Sequence, residues 1–254
     1  MSKLAGAIVK NRIGIEIPSD KVTAERSSGQ VHQITHFDRL PREVRELAGK
    51  RNAMDGITFL KMLPDDGVPA VFFDPQYRGV MDKLDYGNEG SRQKERAELS
   101  QMNDETISTF INEIGRVLRP SGHLFLWIDK FHLVEGIKGW FQDQSLQTVD
   151  LITWDKGKIG MGYRTRRRSE YLVIVQKAPK RAKGCWNSHD IPDVWLEKVV
   201  RVHPHSKPEQ LQAALINSVV EKGDFVVDPA SGGFSVMRSA EAVGRKFIGV
   251  DLRG

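Results

Sequence analysis

Cys185 is the only cysteine in the chain, so no internal disulfide and no CxxC metal site can form. That usage fits a reducing cytoplasm. Long apolar runs are also missing. The longest, residues 124–128 and 171–175, fall far short of the ~18–20 residues that span a bilayer. The stretch 4–9 is shorter than the ~7–15 residues of a secretory signal core and runs into Lys10, Asn11 and Arg12. A soluble, cytoplasmic protein with no membrane partner is expected. GxGxxG is absent, which argues against a hydride-transferring dehydrogenase. His203 and His205 have no third ligand beside them, so no metal is expected. No internal repeat or low-complexity tract is apparent.

With 254 residues, 39% of them apolar and 28% charged, the chain has the composition of one well-cored globular domain. Its positive charge is local. Between Lys156 and Lys183 ten basic residues face a single acid, Glu170, leaving 28 basic against 32 acidic residues elsewhere, a net −4. Such a segment suits a surface that meets a polyanion. A solvated basic hairpin explains charge alone equally well.

The sequence VFFDPQYRG, residues 71–79, joins a buried apolar strand to Asp74, Pro75, Gln76 and Tyr77. About 25 mostly polar residues follow, and a loop of that length inside a compact domain is usually functional or mobile. Ile107, Phe110, Ile111, Ile114, Val117 and Leu118 then recur at helical spacing behind Asn103 or Asp104 as cap. Residues 123–128 read as the next strand, and 148–154 with 171–176 as a hairpin whose tip is basic. Ser206-Lys-Pro-Glu209 has capping-box spacing ahead of a helix.

Near the C-terminus, strand 225–227, the turn DPASGGFS, a helix, strand 246–250 and Asp251 outline a nucleotide-binding βαβ unit. Glycines let backbone approach a ligand at a helix N-terminus, and an acid about 20 residues on can accept from ribose hydroxyls. No strands follow Asp251 to complete the sheet, so the earlier strands must do so. Ligands bind beyond the carboxyl ends of strands at a topological switch point, so Asp74 and Asp228 are expected to open on one crevice.

DPQY at 74–77 resembles the DPPY motif of amino-methyltransferases acting on exocyclic amines of nucleobases, and DPASGG resembles their cofactor turn. Met54-Asp55-Gly56 with FLKMLPDD, the span from Trp154-Asp-Lys156 through Arg164 and Glu170 to Lys177, HPHSKP at 203–208 and GRKFIGVD at 244–251 are similar to further elements of the family. Their order matches the permuted, beta-type DNA adenine-N6 methyltransferases, over roughly residues 51–254. The sequence departs from the family pattern at Gln76, usually proline, at Ala230, usually Phe, and at Phe234, near the place of a glycine.

The resemblance implies an α/β, Rossmann-like doubly wound mixed sheet, circularly permuted relative to other class I methyltransferases, with an antiparallel hairpin. It implies a catalytic domain over 51–254 after an N-terminal arm at 1–50, a mobile loop at 78–102 and a small recognition insert near 178–200. Asp74, Pro75, Gln76 and Tyr77 would handle a flipped adenine. Asp55, Lys207, Asp228, Ala230, Gly232, Gly233, Ser235 and Asp251 would hold S-adenosylmethionine. Lys156, Lys158, Arg164, Arg166, Arg167 and Arg168 would contact duplex DNA. A homodimer stays open. The implied reaction is methyl transfer to adenine in DNA at a short or relaxed site. The alternatives are an RNA adenine or DNA cytosine-N4 methyltransferase, or a catalytically degenerate nucleic-acid-binding subunit.

Overall fold

The computed structural model describes residues 35–76, 101–142, 145–160, 164–199 and 206–254, and Ile34–Gly254 form one compact unit. Tyr77 and nearly all of the 78–102 loop lie outside the described residues, as do His203 and His205.

Strand β2, Val68–Phe73, is buried at every position, the pattern of a strand covered on both faces. Pro69 supplies no N–H to the ladder, and the pairing with β3, Leu118–Ile128, shifts register there, between Val68 and Ala70. Together with β1 (Asn52–Ala53), β4 (Leu146–Asp155), β5 (Ser169–Lys177), β6 (Val194–Leu196), β7 (Phe225–Asp228) and β8 (Lys246–Asp251) they form one eight-stranded sheet, ordered β1-β8-β7-β2-β3-β5-β4-β6. β1, β8, β7, β2 and β3 run parallel; β5 is antiparallel to both β3 and β4. This is the doubly wound mixed sheet with a hairpin that the sequence implies.

Helices cover both faces. On one, α2 (Gly56–Met62) and α3 (Asp104–Val117) pack over Val71, Phe73, Leu124 and Leu126, with Phe73 and Phe110 stacked at 5.0 Å. On the other, α5 (Glu209–Val219) and α6 (Ser235–Ala242) cover Ala70, Phe72, Phe125 and Trp127. Asn103 caps α3 by accepting from the Thr106 N–H at 2.8 Å. The expected capping box does not form at α5. Pro208 is its N-cap, Glu209 pairs with Arg238, and the open amides of Gln210 and Leu211 donate to the Glu197 carboxylate at 3.0 and 3.1 Å. A carboxylate from beyond β6 thus does the work expected of Ser206, and it sits favourably at the positive helix end.

Residues 35–50, expected to belong to the arm, pack onto the sheet domain instead. They include the short helix α1 (Arg42–Arg45), the buried Leu40 and Val44, and His36, whose Nδ1 lies 2.6 Å from Asp224 Oδ2. The remaining helix, α4 (Lys130–Glu135), follows β3 and is capped by Asp129.

The order in which strands are added switches sides between β7 and β2, parallel neighbours joined through the pair Val71–Val227. A Cβ on Gly56, at the start of α2, would lie 2.2 Å from the Pro229 carbonyl oxygen and 2.7 Å from the Phe110 ring. The helix can approach the turn after β7 only because that position has no side chain. Gly56→Ala is therefore expected to destabilise the fold by ~1–3 kcal/mol, the usual cost of overpacking, as read from the urea unfolding midpoint.

Candidate active site

A cleft opens at the switch point, lined among others by Phe73, Asp74, Gln76, Trp127, Lys207, Asp228 and the turn 230–233. Asp74 follows the last residue of β2, and Asp228 is the last residue of β7. The two acids expected to share a crevice do so. Pro75 is buried beside Asp74, and the Gln76 carbonyl accepts from the Met102 N–H at 2.7 Å, tying the exit of the motif to the approach to α3.

The turn after β7 is built on backbone. Ser231 N–H donates to the Val250 carbonyl at 2.9 Å, Gly232 adopts φ +47°, and Phe234 takes the left-handed conformation at φ +54°. The Gly232 N–H donates to Asp251 Oδ2 at 3.1 Å, so Asp251 at the end of β8 borders the same turn. A Cβ on Gly249 would meet Ser231 Oγ at 2.5 Å, so β8 passes directly under it. Ala230, Gly232, Gly233 and Ser235 all line the cleft, whose wall ends at the amino terminus of α6. Asp55 does not line it. Its carboxylate caps α2, accepting from Thr58 N–H at 2.8 Å and Thr58 Oγ1 at 2.9 Å.

Charge in the cleft is arranged in a chain. Lys207 Nζ lies 2.9 Å from Asp74 Oδ2 and 3.0 Å from Glu170 Oε2, and 4.8 Å above the Trp127 ring. Glu170 Oε1 meets Lys156 Nζ. Burial raises the Asp74 carboxyl above its usual range, and the Lys207 ammonium opposes that rise. For Glu170 burial is outweighed by Lys207 and Lys156, which hold it down at about 2. Lys207 itself is raised, because Asp74 and Glu170 overcome the cost of burying it. Asp228 has no such cation among the described residues. Burial, with Asp74 and Asp251 nearby, pushes it up to about 8 although the Ala230 N–H donates to it at 3.0 Å.

The basic segment divides. Lys156 turns inward onto Glu170 and over the Trp154 ring at 5.2 Å. Arg168 forks onto both oxygens of Asp155, each at 2.7 Å, and Arg166 donates to the Gly160 carbonyl. Arg167 lies 5.7 Å above the Phe131 ring of α4, while Lys158 and Arg164 are exposed. Trp127 and Trp154 are core residues, edge to face at 5.9 Å, although Trp127 also floors the cleft. Gln212 and Arg238 line or brace the site without having been singled out for it. Glu170 braces it too, and carried a signal as the single acid in the basic segment.

Residues 68–253 match the model of a family described as DNA methylase of the N6/N4 type. The chain belongs to that family of DNA methyltransferases. The Type II methyltransferase M.HhaII of Haemophilus parahaemolyticus is 59% identical over 206 residues, covering 80% of this chain and 90% of the relative. The fold is shared with the M1.HpyAVI–SAM complex (TM-score 0.56, 17% identity, 80% of this chain and 92% of that one). It is shared also with the cytosine-N4-specific PvuII DNA methyltransferase (TM-score 0.60, 14% identity, 81% and 84%). The cofactor of this DNA methyltransferase is S-adenosylmethionine, and the cleft fits it: a buried acid with no counter-cation among the described residues stands below a tight backbone turn at a helix start.

A cation placed beside Asp228 favours its ionised form. Binding of S-adenosylmethionine at pH 7 is therefore expected to release close to one proton, measured by calorimetry in buffers of different ionisation enthalpy. Asp228→Asn removes that release. The raised group stabilises the ligand-free fold below the ordinary value of 3.8, and that contribution is lost as pH rises through about 8. Stability of the Asn variant should accordingly fall less over that window, the single-proton limit being about 1.4 kcal/mol per pH unit.

Proposed function

We propose that this DNA methyltransferase acts on the exocyclic N6 amine of adenine, flipped from the duplex into the cleft between Asp74 and the turn after β7. The observation that carries this reading is Asp74 at the tip of β2, facing the Asp228 turn across one cleft. An exocyclic amine is a poor nucleophile because its lone pair is delocalised into the ring. Hydrogen bonds from that NH2 to the Asp74 carboxylate and the Pro75 carbonyl let the nitrogen pyramidalise and direct its lone pair outward. S-adenosylmethionine supplies the electrophilic methyl on a sulfonium. The methylated nitrogen then sheds one proton, for which the Asp74 carboxyl, raised by burial, is the adjacent acceptor. Tyr77 stacks on the flipped base. Catalysis is mainly alignment and oriented acceptors, and no covalent enzyme intermediate is required.

Asp74 favours adenine over cytosine, since family members acting on cytosine N4 more often carry serine there. The segment 178–199 supports a short or relaxed recognition site. It is folded down, with Cys185 buried, Trp186 packed on the core and β6 added to the sheet edge. Lys158, Arg164 and Arg167 on the hairpin would supply phosphate contacts, which position the protein without reading sequence.

Wild-type protein incubated with tritiated cofactor should label DNA and leave RNA unlabelled, with N6-methyladenine as the labelled nucleoside by mass spectrometry. N4-methylcytosine as sole product would overturn the adenine assignment. Asp74→Ala should cost ~10²–10³-fold or more in kcat, the scale of a lost oriented hydrogen-bonding group, while cofactor binding persists. Single-molecule sequencing of treated DNA reads the site, and methylation confined to one six-base-pair motif would exclude relaxed recognition.

A further inference from the structure

We infer that Glu170 is a positioning residue for methyl transfer, acting through Lys207 to set how tightly the ammonium holds Asp74. The inference rests on the reading of Asp74 as acceptor for the target amine.

Glu170 is at the second position of β5, paired in register with Trp154 of β4. Among the described residues each of its oxygens has one partner: Oε1 meets Lys156, and Oε2 lies 3.0 Å from Lys207. Lys207 is thereby shared between two carboxylates, with Asp74 Oδ2 at 2.9 Å, over the face of Trp127. Only 12% of the Lys207 side chain is exposed, so it has little water to substitute for a lost partner. An ammonium divided in this way engages Asp74 through Oδ2 and leaves Oδ1 for the target amine. Neutralising Glu170 removes the competing negative charge. The cation then transfers to Asp74 and competes with the base for the same carboxylate. A purely structural role for Glu170, balancing Lys156 on the hairpin, would not depend on Lys207.

The two cases separate in a double-mutant cycle on the full chain, with kcat and S-adenosylmethionine Kd measured for wild type, Glu170→Gln, Lys207→Met and the pair. Glu170→Gln alone should lower kcat by ~10-fold or more, while cofactor Kd stays within ~3-fold, because the group it disturbs touches the target amine. In the Lys207→Met background the same substitution should change kcat by less than ~2-fold. A further loss of ~10-fold in that background, or an unchanged kcat in the single variant, overturns the inference. If Glu170→Gln does not fold, Glu170→Asp decides it. The charge beside Lys156 is kept, but the oxygens retreat by about one carbon–carbon bond, ~1.5 Å. A fall in kcat with Kd held supports action through Lys207, and wild-type kcat refutes it. Wild-type protein that transfers no methyl to DNA would instead refute the reading of Asp74, and this role with it.

Discussion

A carboxylate accepts most strongly from a neutral amine, and can take up its proton, while it is ionised, and enclosing it works against ionisation. The whole cleft is arranged around that conflict. Asp74 is partly shielded at the end of β2, and its proton affinity rises with burial. Lys207 offsets the rise, but a buried ammonium is itself unfavourable without more than one partner. Glu170 provides the second, and Lys156 answers the charge that Glu170 brings. The result is two acids and two bases in alternation, a neutral set within a chain that carries +5. Asp228 stands outside this compensation. It is the acid left to respond to a cationic ligand, and for that reason it rises while Glu170 falls.

The topology explains how residues so far apart in sequence form this set. Asp74 and Asp228 are separated by most of the domain, yet Val71 and Val227 are direct neighbours across β2 and β7. Crossovers leave in opposite directions at that junction: α3 leads to β3 on one side, α6 to β8 on the other. The gap left between departing chains at the carboxyl ends of two parallel strands is the cleft. Because β5 runs antiparallel to β3, its first residues, Ser169 and Glu170, arrive at the same end of the sheet. The hairpin therefore delivers Glu170 and Lys156 to the reacting edge as a consequence of strand direction.

Strand and helix periodicity made most of the fold legible, from the all-buried β2 to the Asn103-capped α3 and the β4–β5 hairpin. Local patterns failed where a distant partner took over. The Ser206-x-x-Glu209 spacing is sound, but Glu197 reaches the α5 amides first and Arg238 occupies Glu209. Asp55, where the family resemblance implies a cofactor contact, has its carboxylate held locally by Thr58 at the start of α2. Lys156 counts as one more positive charge in a basic run, and only pairing across β4 and β5 shows that it faces inward. Residues 35–50 lack a strong apolar pattern because few of them, Leu40 and Val44 among them, need to be buried to dock the segment.

Phe234 tests whether the cofactor turn is shaped by glycine or by the core beneath it. A non-glycine residue in the left-handed region costs ~1–2 kcal/mol, so a phenylalanine there requires an offsetting gain. The ring is fully buried, edge-on to Phe247 at 6.2 Å, with the Arg51 guanidinium 5.3 Å above it. Full burial of such a ring contributes ~1.5–3 kcal/mol, enough to cover the backbone strain. The bend is therefore held from below by side-chain packing, with the Phe234 ring as its anchor. Because Gly56 and Gly249 press against the same turn from α2 and β8, its path is bounded on several sides by groups that cannot yield. Conformational freedom at residue 234 is then no longer what the turn needs.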